Sequence, residues 1–324
     1  MLAVVISEFG PPSVLTPAGL PDPVPGPGQV VVEAAFAGIT FVDTQIRAGR
    51  PPHPAMAPAL PAVLGNGISG VVAAVGDAVD PALVGSRVVT ATGGRGGYAQ
   101  RCAVPASALL PVPDALSADQ AVALLADGRT ALALVAAASL QPGETVLVEA
   151  AAGGVGSLLV QLARRAGARV VALAGGPRKL TVARELGADL AVDYRQPGWA
   201  AIVRREAGPV DVAYDGVGGA AGRDAFALLR EGGRYAGFGL ASGSPAEIPA
   251  GARPGIARIA IGPLTPERSG QLTGQALALA ASGALRPVIG QRFPLDRARD
   301  AHAAIEERAT IGKTLLVAEA EASG

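Results

Sequence analysis

Residues 145–167 read TVLVEAAAGGVGSLLVQLARRAG: a short β-branched run, a turn of small residues, then apolar positions at helical spacing. Val155, Leu158, Leu159, Leu162 and Ala166 recur on one helical face. Gln161, Arg164 and Arg165 fall off that face, and Gly167 stands where a helix C-cap belongs. Between strand and helix lies Ala151-Ala152-Gly153-Gly154-Val155-Gly156, a G-x-G-x-x-G pattern with alanine at its first position. The strand before it and the helix after it separate this pattern from a chance run in a glycine-rich chain. Small side chains let the backbone approach a pyrophosphate, and the helix N-terminus turns free N–H groups and positive dipole toward its charge.

Downstream the rhythm holds. RVVALA, PRKLTVARELGA, LAVDY, VDVAYDG, AAGRDAFALLR and GRYAGFG alternate strand and helix, which requires crossover connections and a parallel sheet covered on both faces. Upstream, residues 1 to about 115 give short β-branched runs broken by glycine and proline, the pattern of a compact β domain. Ser117, with Gln120 three residues on, reads as a capping box that opens a helix. After Gly239 come a long helix around 266–282, a strand near Val288, a helix over 296–308 and a strand over 313–318; these elements can complete either domain. The fold class is therefore α/β, with a doubly wound parallel sheet and a second, β-rich domain.

The choice of dinucleotide is read at the end of the second strand, where an acidic residue would bind the ribose hydroxyls of NAD. Here the strand ends Leu173-Ala174-Gly175-Gly176, and Arg178 and Lys179 follow. Two cations in a helix's first turn oppose the helix dipole unless an anion arrives, so they suit a 2′-phosphate, and NADPH is expected over NADH.

Composition bounds the remainder. Lys plus Arg and Asp plus Glu each total 27, so no net charge draws the chain to nucleic acid or anionic membrane. Half the residues are hydrophobic and 17% are charged, which argues against disorder despite 44 glycines and 27 prolines. The single cysteine, Cys102, builds neither an intramolecular disulfide nor a multi-cysteine zinc site and is read as a structural thiol. MLAVVISEFG lacks the features of a signal peptide, and the most apolar stretch is broken at Asp127-Gly128-Arg129; a cytoplasmic enzyme is expected.

At EAAAGGVGSLLVQLARRAGARVVALAG, RKL, ARELGAD, DYR, DVAYDGVGG and GRYAGFG, and in the front half at AGITFVDTQIRAGRPP and LGNGISGVVAAVG, the chain resembles a zinc-independent medium-chain dehydrogenase/reductase of the quinone oxidoreductase and enoyl reductase branch. The resemblance implies a GroES-like β domain over 1–118, completed by 259–324, and a Rossmann domain over 119–258. It implies that Gly153, Gly154, Val155 and Gly156 meet the pyrophosphate, that Lys179 and Tyr194 lie at the 2′-phosphate, and that Gly239 and Leu240 lie near the nicotinamide; Ala152 and Gly175 count among the cofactor-binding residues, and Arg178 is added on charge. Zinc-using relatives carry cysteine, histidine and glutamate at the positions of Thr40, Asn66 and Gly67, so no metal is expected. The family usually forms homodimers.

Hydride delivery from such a cofactor to an electron-poor carbon needs donors for the oxygen on which charge develops. Thr40, His53 and Asn66 are the candidate catalytic residues, with Gln45 and Arg47 in the same segments. Many relatives have asparagine at position 40 and tyrosine at 45 and 51, so no proton donor is assigned by resemblance. Three readings stay open: a reductase of quinones or α,β-unsaturated carbonyls; a biosynthetic enoyl reductase for a bulky or carrier-bound compound; and an NADPH-binding sensor or partner protein with little turnover.

Overall fold

Valine- and alanine-rich runs of the first 111 residues become the strands of the β-rich unit. The computed structural model describes residues 1–249 and 251–318. In chain order it begins with β1 (Leu2–Ile6), β2 (Thr16–Gly19), β3 (Gln29–Ile39), α1 (Phe41–Arg47), β4 (Ala62–Val63), β5 (Gly67–Val75), β6 (Arg87–Ala91), β7 (Arg101–Pro105), β8 (Leu109–Pro111) and α2 (Ala118–Leu125). Then follow α3 (Asp127–Ala138), β9 (Thr145–Val148), α4 (Gly154–Arg165), β10 (Arg169–Ala174), α5 (Pro177–Glu185), β11 (Leu190–Asp193), α6 (Trp199–Glu206), β12 (Val210–Asp215), α7 (Gly219–Leu228), β13 (Leu229–Gly237) and β14 (Ala257–Arg258). The chain closes with α8 (Pro266–Ala281), β15 (Ile289–Pro294), α9 (Ala298–Glu306) and β16 (Lys313–Val317).

Contacts divide these elements after Ala126 and after Thr265. The sequence set the divisions at 118 and 258, and α2 accounts for the first difference: the Ser69 hydroxyl donates to the Ala118 carbonyl at 2.7 Å and Arg292 pairs with Asp119, so α2 stays with the β unit. Gln120 accepts from the Ser117 N–H at 3.1 Å as the capping box requires, but the serine hydroxyl turns to Asp119.

In the β unit, long β3 is the spine: β5 pairs with it antiparallel along one edge, while β7 on its first half and β16 on its last share the other, with β15 parallel to β16 outside. Val30, Val32, Ile39, Ile68, Val72 and Leu316 fill its core. Behind them lies a polar group. The Tyr98 hydroxyl meets Nε2 of His302 on α9 at 2.9 Å, both side chains being fully buried, and buried Arg47 pairs with Glu306. Removal from water pushes the His302 imidazole down to about 3, so it sits neutral.

The second unit is a parallel sheet in the order β11-β10-β9-β12-β13-β14. In the order of the chain these strands run 3-2-1-4-5-6, and ligands of such sheets bind outside the carboxyl ends where the order reverses, here between β9 and β12. Leu147, Val171, Leu173, Val210 and Ala213 form the sheet's interior, with Trp199, Phe226 and Tyr235 packed on it. No single helix among the described residues is long and apolar enough to cross a membrane.

Candidate functional site

Three turns leave the carboxyl ends of the central strands. The first follows β9. Ala150 takes a left-handed φ of 48°, and Gly153, extended at φ −84°, caps α4 without a side chain while its N–H donates to the Ala150 carbonyl at 2.7 Å. The leading N–H groups of α4 thus receive no side-chain cap from Gly153, the condition for an anion to take them. Close packing dictates the glycines: a Cβ on Gly156 would sit 2.2 Å from the Ala150 carbonyl oxygen, and one on Gly154 2.0 Å from Oδ2 of Asp127. Asp127, in the first turn of α3 and buried, therefore lays its carboxylate against the positive end of α4.

The second turn follows β10. Gly176, at φ 95°, caps α5 and Pro177 opens it. Asp193, the register partner of Ala174 on β11, accepts from the Gly176 N–H at 3.0 Å and holds the Arg195 guanidinium at 2.9 Å. That hydrogen-bonded cation keeps the Asp193 carboxyl below the usual carboxylate range. A Cβ on Gly175 would lie 3.2 Å from Cδ of Arg195 and 3.5 Å from Oη of Tyr194, so both side chains close over the diglycine. Lys179 is half-buried one residue beyond exposed Arg178. Arg195 adds a cation to Arg178 and Lys179, and its signal in the sequence is the arginine of DYR.

The third turn follows β12. Asp215 Oδ1 accepts from the Val217 and Gly218 N–H groups at 2.8 and 2.6 Å, and Oδ2 accepts from the Tyr235 hydroxyl. Gly239 returns from β13 to the same place, where a Cβ would be 2.4 Å from the Gly216 carbonyl oxygen; Leu240 beside it is 36% exposed. Ala152, Gly153, Gly154, Val155, Gly156, Gly175, Arg178, Lys179, Tyr194, Gly239 and Leu240 thus all lie at one edge of one sheet.

Residues 26–114 match the alcohol dehydrogenase GroES-like domain family and residues 186–316 the zinc-binding dehydrogenase family. A probable quinone oxidoreductase of Schizosaccharomyces pombe is 36% identical over 98% of this chain and 97% of its own. The chain belongs to the quinone oxidoreductase branch of the medium-chain dehydrogenases/reductases. A 2-haloacrylate reductase of a Burkholderia species is 34% identical over 99% of this chain and all of its own length. The crystal structure of Escherichia coli quinone oxidoreductase complexed with NADPH superposes with a TM-score of 0.89 at 29% identity, covering 98% of this chain and 100% of that one. As a quinone oxidoreductase family member the chain is an oxidoreductase, and the GroES-like and Rossmann-type units are its two parts.

The candidate catalytic residues lie in the β unit. The Thr40 hydroxyl donates to Asp43 Oδ2 at 2.8 Å and accepts from the Asp43 N–H at 3.3 Å, a capping box at the start of α1, so its proton is directed to a carboxylate. Half-buried Asn66 immediately precedes β5, where its carbonyl accepts from the Thr92 N–H at 3.1 Å. His53 lies on an exposed loop, where Nδ1 accepts from the Ala55 N–H at 3.2 Å. Cys102 is buried with its thiol pushed up to about 11 by desolvation, as a structural thiol should be.

Proposed function

We propose that this enzyme binds NADPH along the carboxyl edge of its parallel sheet and directs hydride to a quinone or to the β-carbon of an α,β-unsaturated carbonyl compound, without zinc. The observation that carries the cofactor choice is the engagement of Asp193. This carboxylate at the Gly175-Gly176 turn is taken up by the Gly176 N–H and Arg195, which would leave a cationic face toward the adenosine end. Lys179, Tyr194 and Arg195 would hold the 2′-phosphate, with Arg178 as an outer charge. The first turn of α4 would hold the pyrophosphate, and Gly239 and Leu240 would border the nicotinamide.

The bound dinucleotide would supply the hydride, and the chain's part is to hold and orient it. Of the three candidates, Asn66 is the side chain proposed to donate to the acceptor's carbonyl oxygen and exposed His53 takes the weaker part, while the Thr40 hydroxyl, whose proton goes to Asp43, holds the start of α1. The names of the relatives support the substrate class, because a quinone and a 2-haloacrylate each present an electron-poor carbon conjugated to a carbonyl.

Zinc does not fit the residues at hand. Thr40, Asn66 and Gly67 offer no thiolate, imidazole or carboxylate. Among the described residues no three His, Cys, Asp or Glu side chains gather where they could hold a metal ion. The same reading makes the enzyme a cytoplasmic homodimer, and short β14 at the sheet's edge is available to a second copy. Parallel titrations with NADPH and NADH test the cofactor assignment: tighter NADPH binding supports it, and equal affinities refute the cation set.

A further inference from the structure

The crevice between β9 and β12 contains a second feature. Val148 pairs with Tyr214, and the Glu149 N–H donates to the Tyr214 carbonyl at 2.9 Å, so Glu149 and Asp215 stand side by side on adjacent parallel strands. Both are buried, at 0% and 2% exposure. Asp215 receives three donors: the Val217 and Gly218 N–H groups and the Tyr235 hydroxyl. Glu149 has no donor of its own: among the described residues neither carboxyl oxygen has a hydrogen-bond partner, and the Val217 N–H that lies near it is committed to Asp215. A carboxylate without a donor, beside another carboxylate and out of water, is among the costliest arrangements a fold can hold. One proton between the two groups removes the cost.

We propose that Glu149 is a neutral carboxylic acid that donates its proton to Asp215, and that this shared proton ties the phosphate-cradling turn to the turn after β12, making Glu149 a positioning residue for the dinucleotide. The positioning role rests on the cofactor reading above. Glu149 immediately precedes left-handed Ala150, whose carbonyl accepts from Gly153; Asp215 organises Val217 and Gly218 and, through its carbonyl, receives the Gly239 N–H at 3.2 Å. One proton therefore joins the two sides of the crevice. The titratable and charged groups facing Glu149 are Asp215 on β12 and Asp224 on α7, with Tyr235 on β13 across Asp215 and Arg258 of β14 beyond. Burial first, then the Asp215 carboxylate, raise its affinity for a proton well above that of an ordinary glutamate. Ionisation at high pH would place two adjacent carboxylates under a pyrophosphate, and cofactor affinity should fall.

Two measurements on the full-length enzyme test this. Infrared difference spectra with carbon-13-labelled glutamate should show the carbonyl stretch of a protonated acid at neutral pH, absent from Glu149→Gln. NADPH titrations between pH 6.5 and 9.5 should weaken with pH in the wild type and stay flat in Glu149→Gln, whose amide N–H donates to Asp215 without titrating. At pH 7 Glu149→Gln should stay within about 3-fold of wild type, and Glu149→Ala should lose tenfold or more, a contribution of about 1.4 kcal/mol. Absence of the acid band overturns the shared proton whatever the enzyme binds, and an unchanged pH profile in Glu149→Gln overturns the positioning role. A wild type that shows the band but binds neither NADPH nor NADH overturns the cofactor reading and with it the positioning role, leaving the shared proton established.

Discussion

Gly156→Ala should damage both the fold and the cofactor site, and the structure gives the scale. The new Cβ would lie 2.2 Å from the Ala150 carbonyl oxygen, with the Ala150 carbonyl carbon at 2.8 Å and Ala151 Cα at 3.0 Å. All three are backbone atoms, so no side chain can rotate away; α4 and the turn must part by roughly 1 Å to restore ordinary contact. Overpacking of this kind costs about 1–3 kcal/mol. The same displacement carries the first N–H groups of α4 away from the pyrophosphate, and each charge-assisted hydrogen bond lost is worth about 1.5–3 kcal/mol, so NADPH affinity should fall by roughly 10- to 100-fold. Gly153→Ala is the internal control. Its Cβ would lie 3.1 Å from the same oxygen, a gap closed by a few tenths of an ångström, so its unfolding free energy should change by less than about 1 kcal/mol. Urea denaturation without cofactor reads the first effect, and NADPH fluorescence titration the second. A Gly156→Ala enzyme with wild-type stability and affinity would refute the packing argument.

Three further outcomes are expected. Lys179→Ala and Arg195→Ala should each weaken NADPH by about tenfold while leaving NADH nearly unchanged, and exposed Arg178→Ala should do less; parallel titrations check this. The His302 imidazole, held near 3 when folded, takes up a proton on unfolding below its ordinary value of 6.5. Stability should therefore fall with pH through that window, by about 2 kcal/mol at pH 5 relative to pH 8, and the slope should vanish in His302→Gln, as denaturation at the two pH values would show. Glu149 works in the opposite sense. The folded state keeps a proton that the unfolded chain releases above about 4.5, so wild-type stability should decline relative to Glu149→Gln by about 1.4 kcal/mol per pH unit up to the raised folded value.

Periodicity made the parallel sheet legible, because a strand, a turn of small residues and a helix with one apolar face have few other solutions. The glycine turn between β9 and α4 came with it, since contact with the Ala150 carbonyl forces Gly156 to be glycine and so leaves a mark in the sequence. Helix α1, inside AGITFVDTQIRAG, escaped the β-rich pattern around it; its seven residues depend on the Thr40–Asp43 box, a signal of the same kind as the one read at Ser117. Arg195 was hidden because its role follows from the alignment of β10 with β11, which places Asp193 and the residues after it beside Gly175. Glu149 was hidden for a like reason: it stands 66 positions before Asp215, and only the crossover that makes β9 and β12 neighbours brings the two carboxyls together. Thr40 shows the converse, a hydroxyl whose residue type suggested chemistry and whose position commits it to a helix cap.

The most direct test of the account is consumption of NADPH by the purified enzyme under low oxygen against a panel of quinones, enones and enoyl thioesters, with NADH in parallel. Saturable turnover with quinones or enones is expected, faster with NADPH than with NADH and unaffected by a zinc chelator. Saturable NADPH binding with no turnover of any acceptor, or turnover that a chelator abolishes and zinc restores, would contradict it.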